Sequence, residues 1–421
     1  MATNRWTGRS LATAQVDTLT IGGTIEVGDL FLVTIGGKTF SYAATSTAAA
    51  TVASGFATAW NALSSTYYPE FAEMTAAATS GGALTLTADT PGKPFTVSVS
   101  TTESNGGASD GQTFSRAATT ASSGPNHWDT AANWSLGTVP VSTDDVWIEN
   151  SSVSILYGLA QSAVTLTSLN IAASFTGEIG LKENTGTYIE YRDRFLAISA
   201  TTVNIGDGFG SGSGRIQLDF GANAATVNVR NMGTPAENGL EALLIKGSSI
   251  TAVNADKGSV GIAVFAGESA TVTTLRSGYR TNPTSDVTIR CGPSVTLTTL
   301  EQSGGTVELG AGLTTITKTD GTLTVKAGNI TTANIDGGAF YYHGVGTITT
   351  LNASDGGIVD FSQNMRGRTV TTGNFYSGSS LIDSFRTVTF TNPVRIQRCA
   401  LADLKRIDLG THIALAITAG P

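Results

Sequence analysis

The chain is poor in charge and in histidine, and these shortages exclude several classes of protein. Only 13% of its 421 residues are charged, and the formal net charge is −8. It therefore lacks the basic stripe of lysine and arginine that a nucleic-acid surface needs to displace counterions. Three histidines without metal-ligand spacing give no sign of a metal centre. We predict no nucleic-acid partner, no cofactor and no metal site.

Cysteines and long apolar runs are also scarce. Cys291 and Cys399 are the two cysteines, and their separation excludes a CxxC zinc motif and a disulfide framework, so we expect two buried free thiols. No stretch approaches the roughly 18 apolar residues of a membrane span, and the first residues lack the apolar segment of a signal peptide. The sequence therefore predicts no membrane span and synthesis in a cytoplasm without export by a cleaved signal.

Glycine and small β-branched or hydroxyl side chains dominate instead. The 50 glycines, with abundant Thr, Ser and Ala, disfavour helices and favour many short strands joined by tight turns. The 40% of hydrophobic residues are spread evenly, which excludes a disordered chain. The composition predicts a mainly β protein.

The first part of the chain contains one helical pattern. Val52, Phe56, Trp60 and Leu63 form a single apolar stripe at helical spacing, and Thr47 is positioned to cap the helix. Alternating strands surround it, including a hairpin at the Gly-Gly turn of "LFLVTIGGKTFSY". We predict a small α+β domain whose helix lies on a sheet.

A short repeat dominates the rest of the chain. Two small residues, usually Thr, precede an apolar residue and then most often Asn, about every 23 residues. The asparagines of the repeat are Asn170, Asn204, Asn228, Asn254, Asn334, Asn352 and Asn374. Variants of the repeat end at Arg276, Glu301 and Thr317.

Such a short unit cannot bury its own apolar residues, so successive units must stack. The stacked form of strand, turn, strand, turn is a single-chain parallel β-helix, which is our predicted fold. In register, the asparagines can form a ladder of side-chain amide hydrogen bonds. The long step from Asn170 to Asn204 is predicted to hold an insertion, 182–195, that protrudes as a charged loop.

A tryptophan-rich segment, "NHWDTAANWSLGTVPVSTDDVWIEN", precedes the first repeat. The open end of a β-helix exposes strand edges and core, which must be covered. Trp128, Trp134 and Trp147 supply bulk for such a cap, and Pro140 stops edge pairing. We predict that His127 belongs to this cap and not to an active site.

Two segments carry resemblances. "WDTAANWSLGTVPVSTDDV" resembles the opening motif ahead of β-helical passenger-like repeats in bacterial surface proteins. "VGDLFLVTIGGKTFSY" and "LTLTADTPGKPFTVS" are similar to modules of phage and prophage virion proteins. The resemblance implies a virion component with this architecture and brings no catalytic residues.

The predicted divisions of the chain are an N-terminal arm 1–10, an α+β domain 11–105, a linker 106–125, a cap 126–155, a β-helix 156–410 and a tail 411–421.

The enzymatic alternative is a β-helical polysaccharide depolymerase, which needs clustered carboxylates. Asp320, Asp336 and Asp355 recur at one repeat position, but each precedes Gly, where Asp suits a tight turn. The remaining candidates are Asp360, His343 and Arg366. We predict a non-enzymatic structural protein.

Its predicted location is a phage virion, as a capsid decoration or tail-associated protein. A bacterial surface or filament-forming protein is the second hypothesis, and the depolymerase is the third. Expected partners are other virion proteins or copies of the chain itself, with surface glycans as a further candidate.

Overall fold

A computed structural model describes most of the chain and is mainly β. The described residues are 2–104, 111–232, 239–278, 287–397, 406–407 and 415–418. Strand makes up 49% and helix 5% of the residues, so the prediction of a mainly β protein is confirmed. Cys399 lies outside the described residues. Among those described, no helix has the length and apolarity to cross a bilayer.

The first nine strands and the helix belong to the part of the chain before the repeats. The strands are β1 Thr3–Arg5, β2 Val16–Gly22, β3 Leu30–Ile35, β4 Lys38–Ala43, β5 Met74–Ala78, β6 Ala83–Ala88, β7 Ser98–Thr102, β8 Thr113–Thr120 and β9 Asp145–Ile148. The α-helix α1 is Ala49–Asn61, and two short 3₁₀ helices are Phe71–Glu73 and Ala131–Asn133.

The later strands belong to one large sheet. They are β10 Ala160–Ala172, β11 Leu196–Asp207, β12 Ile216–Asp219, β13 Ala225–Val229, β14 Leu243–Ala255, β15 Gly258–Ile262, β16 Ala270–Ser277, β17 Val287–Cys291, β18 Val295–Gln302, β19 Thr306–Leu309 and β20 Leu313–Lys318. They continue with β21 Thr322–Val325, β22 Ile330–Ile335, β23 Ala339–Tyr342, β24 Thr347–Ala353, β25 Ile358–Asp360, β26 Arg368–Tyr376, β27 Ser380–Ile382, β28 Val388–Phe390, β29 Val394–Gln397 and β30 Leu415–Thr418.

The small module (β2–β8 with α1) has two antiparallel sheets and its own apolar core. The sheet orders are β5-β6-β2-β8 and β4-β3-β7. Val52, Phe56 and Trp60 are buried on one side of α1, as the stripe predicts, and the Phe40 ring meets those of Phe56 and Trp60 edge-on. Leu63 lies beyond the end of the helix.

The predicted cap of α1 is wrong. The N-cap residue is Ala48, and no side chain bonds the first turn of the helix. The hydroxyl of Ser46 instead accepts the N–H of Ala48 at 3.1 Å. The helix therefore depends on its buried stripe and not on a capping residue.

The predicted linker 106–125 contains a strand. β8 pairs antiparallel with β2 from Gly22 opposite Thr113 to Val16 opposite Thr120. Its side chains are mostly exposed and Phe114 is its one large apolar residue, so the segment lacks the alternating apolar pattern of a buried strand. A strand at a sheet edge can form through backbone hydrogen bonds without buried apolar side chains. Composition therefore predicted a linker where the chain forms an edge strand.

In the large sheet, strands pair in parallel with the strands two positions away. β16 pairs with β14 and β18, while β17 pairs with β15 and β19, and this alternation continues to β27. Burial alternates along each strand, as in β21, where Leu323 and Val325 are buried and Thr322 and Thr324 are not. The buried residues of successive strands form one continuous apolar core.

The first residues are not the separate arm predicted for 1–10. β1 pairs in parallel with β9, with Thr3 opposite Asp145, so it joins the large sheet. Trp6 follows it, is 3% exposed, and meets the Trp134 ring at 5.2 Å. A single tryptophan at an unpatterned N-terminus gives little sequence signal for this pairing.

The insertion 182–195 does not protrude into solvent as predicted. Tyr188 donates its hydroxyl proton to Glu73 of the small module, and Arg192 forms an ion pair with the same carboxylate at 2.9 Å. Tyr191 packs on the core of the small module. Arg192 is therefore an ion-pair partner of the small module, a role that composition alone does not distinguish from a solvated charge.

Candidate functional site

The repeat asparagines occupy one line of register across the large sheet. The parallel pairs place each one opposite the next on the neighbouring strand. Their order is Asn170, Asn204, Asn228, Asn254, Arg276, Glu301, Thr317, Asn334, Asn352, Asn374. We call this line the asparagine row. Its described continuation on β29 is Arg395.

Side-chain amides join the row into two runs. In the first run, Nδ2 of Asn204 donates to Oδ1 of Asn170 at 2.9 Å, and the same bond repeats at 3.0 and 2.9 Å up to Asn254. The second run extends from Asn334 to Asn374 with bonds of 2.7 and 2.8 Å. Each amide donates toward the preceding strand, so the dipoles align and polarise one another.

Charged side chains fill part of the gap between the runs. Arg276 donates Nη1–H to Oδ1 of Asn254 at 3.2 Å and Nε–H to Glu301 at 2.6 Å. The guanidinium therefore continues the donor direction of the first run with a charge-assisted bond. The third position between the two runs is the exposed Thr317.

The row has two different ends. Nδ2 of Asn170 donates to Oδ1 of Asp145 at 3.0 Å, so the first run ends on a carboxylate. At the far end, the buried Oδ1 of Asn374 has no hydrogen-bond partner. The buried neighbours Val203 and Ile205 flank Asn204 in sequence, which puts the amide on the face opposite the core.

The predicted cap contains a cluster of tryptophan rings. Trp128 is fully buried and Trp134 is 3% exposed, with ring centroids 4.7 Å apart. Nε1–H of Trp134 donates to the carbonyl oxygen of Trp128 at 2.7 Å, and Asn133 donates to the carbonyl of His127 at 2.8 Å. These bonds satisfy the Asn133 amide and the indole N–H of Trp134, while the rings of Trp128 and Trp134 join the core of the large sheet.

Trp147 differs from the other two predicted cap tryptophans. It is half-buried on β9, opposite both Arg5 and Asn170, so it lies on the line of the asparagine row. The guanidinium of Arg5 lies 5.5 Å from its ring centroid. Strand alternation turns Trp147 away from the core that Val146 and Ile148 enter. The third ring of the buried cluster is instead that of Trp6, which contacts Trp134.

His127 holds the cap against the small module. Its ring is 3% exposed, and Nε2 lies 3.0 Å from the carbonyl oxygen of Gly92. Nδ1 lies 3.4 Å from Asp129, and the ring meets that of Tyr157 at 5.2 Å. These contacts occupy both ring nitrogens in the packing of the cap.

The candidate catalytic aspartates lie in turns after neighbouring strands. Oδ1 of Asp320 accepts the N–H of Gly321 at 2.7 Å, and Oδ1 of Asp336 accepts the hydroxyl of Ser354 at 2.6 Å. Asp355 has a φ of 47°, the left-handed region that Asp tolerates in turns. Asp320 and Asp355 therefore have a conformational role in their turns, whereas Asp336 bonds a residue of the next repeat.

The other candidates are placed around β25. Asp360 pairs in register with Tyr341 and accepts two hydrogen bonds from Ser362, at 2.7 Å from the N–H and 2.6 Å from the hydroxyl. His343 is half-buried, and burial lowers its pKa. Arg366 is exposed. The position of Asp360, on a strand, is distinct from the turns that hold the three aspartates.

Lys318 is a buried polar residue that the repeat pattern did not reveal. It follows Thr317 on β20, is fully buried, and donates from Nζ to the carbonyl oxygens of Gly321 and Gly337, both at 2.7 Å. Burial lowers its pKa to about 8, against the opposing effect of Asp320.

Cys291 is a buried free thiol, as predicted, and burial raises its pKa to about 12.

Comparisons with known proteins find no match. No family model, curated protein or solved structure matches the chain.

Proposed function

We propose that the chain is a non-enzymatic structural protein whose large sheet is a parallel β-helix. The observation that carries the proposal is the unbroken register of the asparagine row from β10 to β26. Two alternating sets of parallel strands with one shared core are what stacked coils of about 23 residues would produce. A repeated fold of this kind is suited to assembly, because stacked coils present the same surface repeatedly. It is less typical of a protein that acts through a single cleft.

We place this structural protein in a phage virion, as a capsid decoration or tail-associated component. The support is the resemblance of 27–42 and 84–98 to modules of virion proteins. Partners would be other virion proteins or further copies of the chain. The small module, with its separate core, is the proposed anchor, and the repeats are the proposed projection.

Immunogold labelling tests the location. An antibody against 1–120 should label capsids or tails of intact particles, and antibody pre-absorbed with the purified chain should not. Label on cell envelopes instead would contradict the virion proposal and select the bacterial surface protein.

A polysaccharide assay tests the non-enzymatic part of the proposal. The purified chain should release no reducing or unsaturated sugar ends from capsular or cell-wall polysaccharides. The triple variant Asp320→Asn, Asp336→Asn and Asp355→Asn should fold and assemble as the parent does, because Asn suits the same turns but is no acid or base. Release by the parent that disappears in the variant would establish the depolymerase.

A further inference from the structure

Three carboxylates converge at one end of the β4-β3-β7 sheet. Asp29 immediately precedes β3 and Glu103 immediately follows β7, and these strands pair antiparallel with Leu30 opposite Thr102. Extended by one residue, the same antiparallel register places Asp29 opposite Glu103. One carboxylate oxygen from each of Glu26, Asp29 and Glu103 lies within 4.8 Å of the other two.

Two of these carboxylates are removed from water. Asp29 is fully buried and Glu103 is 5% exposed. Like charges directly opposite on antiparallel strands destabilise a sheet, and burial of charge adds a desolvation cost. Within the described part of the module, Lys38, Lys93 and Arg116 form ion pairs with Glu70, Glu73 and Asp17, and not with Asp29 or Glu26. Positive charge at this position would therefore stabilise the fold.

A separate observation at Asp29 points to a missing ligand. Its Oδ2 accepts the N–H of Glu26 at 2.7 Å. Its Oδ1 is buried and has no hydrogen-bond donor. Buried carboxylate oxygens are normally satisfied by a donor or a metal ion, because an unsatisfied one carries the full cost of its desolvation.

We propose that Glu26, Asp29 and Glu103 bind a divalent cation, with Ca²⁺ preferred over Mg²⁺. An all-oxygen ligand set suits hard cations, and two ligands on opposite sides of Ca²⁺, each at about 2.4 Å, are about 4.8 Å apart. Ca²⁺ also tolerates the irregular geometry of a turn better than Mg²⁺ does. The exposed Glu26 leaves one side open for water ligands and for entry of the ion.

The bound ion would join the turn before β3 to the end of β7. Glu26 and Asp29 belong to one short turn, in which the N–H of Asp29 also bonds the carbonyl of Glu26 at 3.3 Å. Glu103 is distant from them in sequence, so the ion would cross-link two separate parts of the module. Ion removal should therefore loosen this end of the sheet while the large sheet is unaffected.

Calorimetric titration of the EDTA-treated full chain with CaCl₂, and separately with MgCl₂, tests the site. We expect one Ca²⁺ per chain with a Kd below about 1 mM, weaker Mg²⁺ binding, and a Tm raised by Ca²⁺ over EDTA. Asp29→Asn should weaken Ca²⁺ binding at least about tenfold. The matched control, Asp89→Asn, changes an exposed carboxylate of the same module and should bind Ca²⁺ like the parent.

Glu26→Gln is a second variant in case Asp29→Asn does not fold. Because Glu26 is exposed, this substitution should leave the fold intact and should also weaken Ca²⁺ binding. The proposal is overturned if the folded parent binds neither ion and its Tm is the same in Ca²⁺ and EDTA. It is equally overturned if Glu26→Gln and Asp29→Asn bind Ca²⁺ as tightly as the Asp89→Asn control.

Discussion

At the residue scale, Lys318 is a lysine removed from water and held by the backbone. It is fully buried at the end of β20, where its Nζ meets two backbone carbonyl oxygens. Its folded-state pKa, lowered to about 8, lies below the ordinary value of 10.5. Between those two pH values the unfolded chain holds more protons than the folded chain, so the free energy of unfolding from this group rises with pH.

Lys318→Met should remove that pH dependence. Relative to the variant, the parent should gain about 3 kcal/mol of unfolding free energy as the pH rises from about 8 to about 10.5, and nothing further outside that window. Urea denaturation at a series of pH values measures the difference. Lys326→Met, which changes a half-exposed lysine, is the control and should follow the parent. Parallel pH profiles for the parent and Lys318→Met would refute the account of this residue.

At the element scale, the asparagine row predicts a local cost for breaking one amide. Asn228→Ala removes the hydrogen bonds that Oδ1 of Asn204 accepts from, and Nδ2 of Asn254 donates to, this residue. We expect a loss of about 1–3 kcal/mol in unfolding free energy, because both neighbours keep partly desolvated polar groups. Thr317→Ala, at the exposed break of the row, should change it by less than about 0.5 kcal/mol. Equal effects for the two variants would show that the amide bonds contribute nothing.

The tryptophan cap predicts a larger effect. Trp134→Ala should cost about 3–5 kcal/mol, because it removes a buried ring packed between Trp6 and Trp128 and leaves a cavity. Trp147→Ala, at a half-buried position away from the core, should cost less than half as much. Chemical denaturation measures both. A Trp134 variant as stable as the parent would mean that the ring contributes little to the core.

The repeat elements could be predicted from sequence because every copy repeats one local rule. Small, apolar and polar residues alternate at a strand period, so Asn204 and Asn228 fall at equivalent positions. Other elements carry no such rule. β8 has one large apolar residue, Phe114, and β1 is three residues long, and both strands are formed by pairing with distant strands. Burial of Trp6 and the half-exposed position of Trp147 were missed for the same reason, because both follow from the pairing of β1 with β9.

The cluster of Glu26, Asp29 and Glu103 could not be predicted from the sequence, because it too depends on pairing between distant strands. Glu26 and Asp29 are three residues apart, a spacing common in turns, and nothing local connects them with Glu103. Only the antiparallel register of β3 and β7 brings the three together. Burial of Asp29, which makes the cluster significant, is likewise a property of the assembled module.

At the scale of the whole molecule, the insertion 182–195 couples the small module to the large sheet. Glu73 accepts bonds from Tyr188 and Arg192 and also pairs with Lys93 at 2.6 Å. Arg192 is nearly buried and is shared with Glu190 at 3.0 Å. Loss of Arg192 would break the ion pair of the buried Glu190 and leave Glu73 with Lys93 alone, so this cluster should link the unfolding of the two cores.

Arg192→Met should therefore separate the unfolding of the two cores. Scanning calorimetry of the variant is expected to show two transitions, or a cost of about 3–5 kcal/mol in a single one. Arg230→Met breaks the more exposed pair with Asp207 and should leave the profile within about 1 kcal/mol of the parent. A profile for Arg192→Met that matches this control would show that the insertion does not couple the cores.

Disulfide trapping tests the in-register parallel stacking on which the proposed structural role depends. In a background with Cys291→Ala and Cys399→Ala, Asn228→Cys and Asn254→Cys are placed opposite each other on β13 and β14. Stacked parallel strands lie about 4.8 Å apart, within the range that a disulfide spans. Mild oxidation should cross-link this pair rapidly, as a shift on non-reducing gels, and should leave the distant pair Asn228→Cys with Asn352→Cys reduced. Failure of the first pair to cross-link, or equal cross-linking of both, would contradict the stacked register.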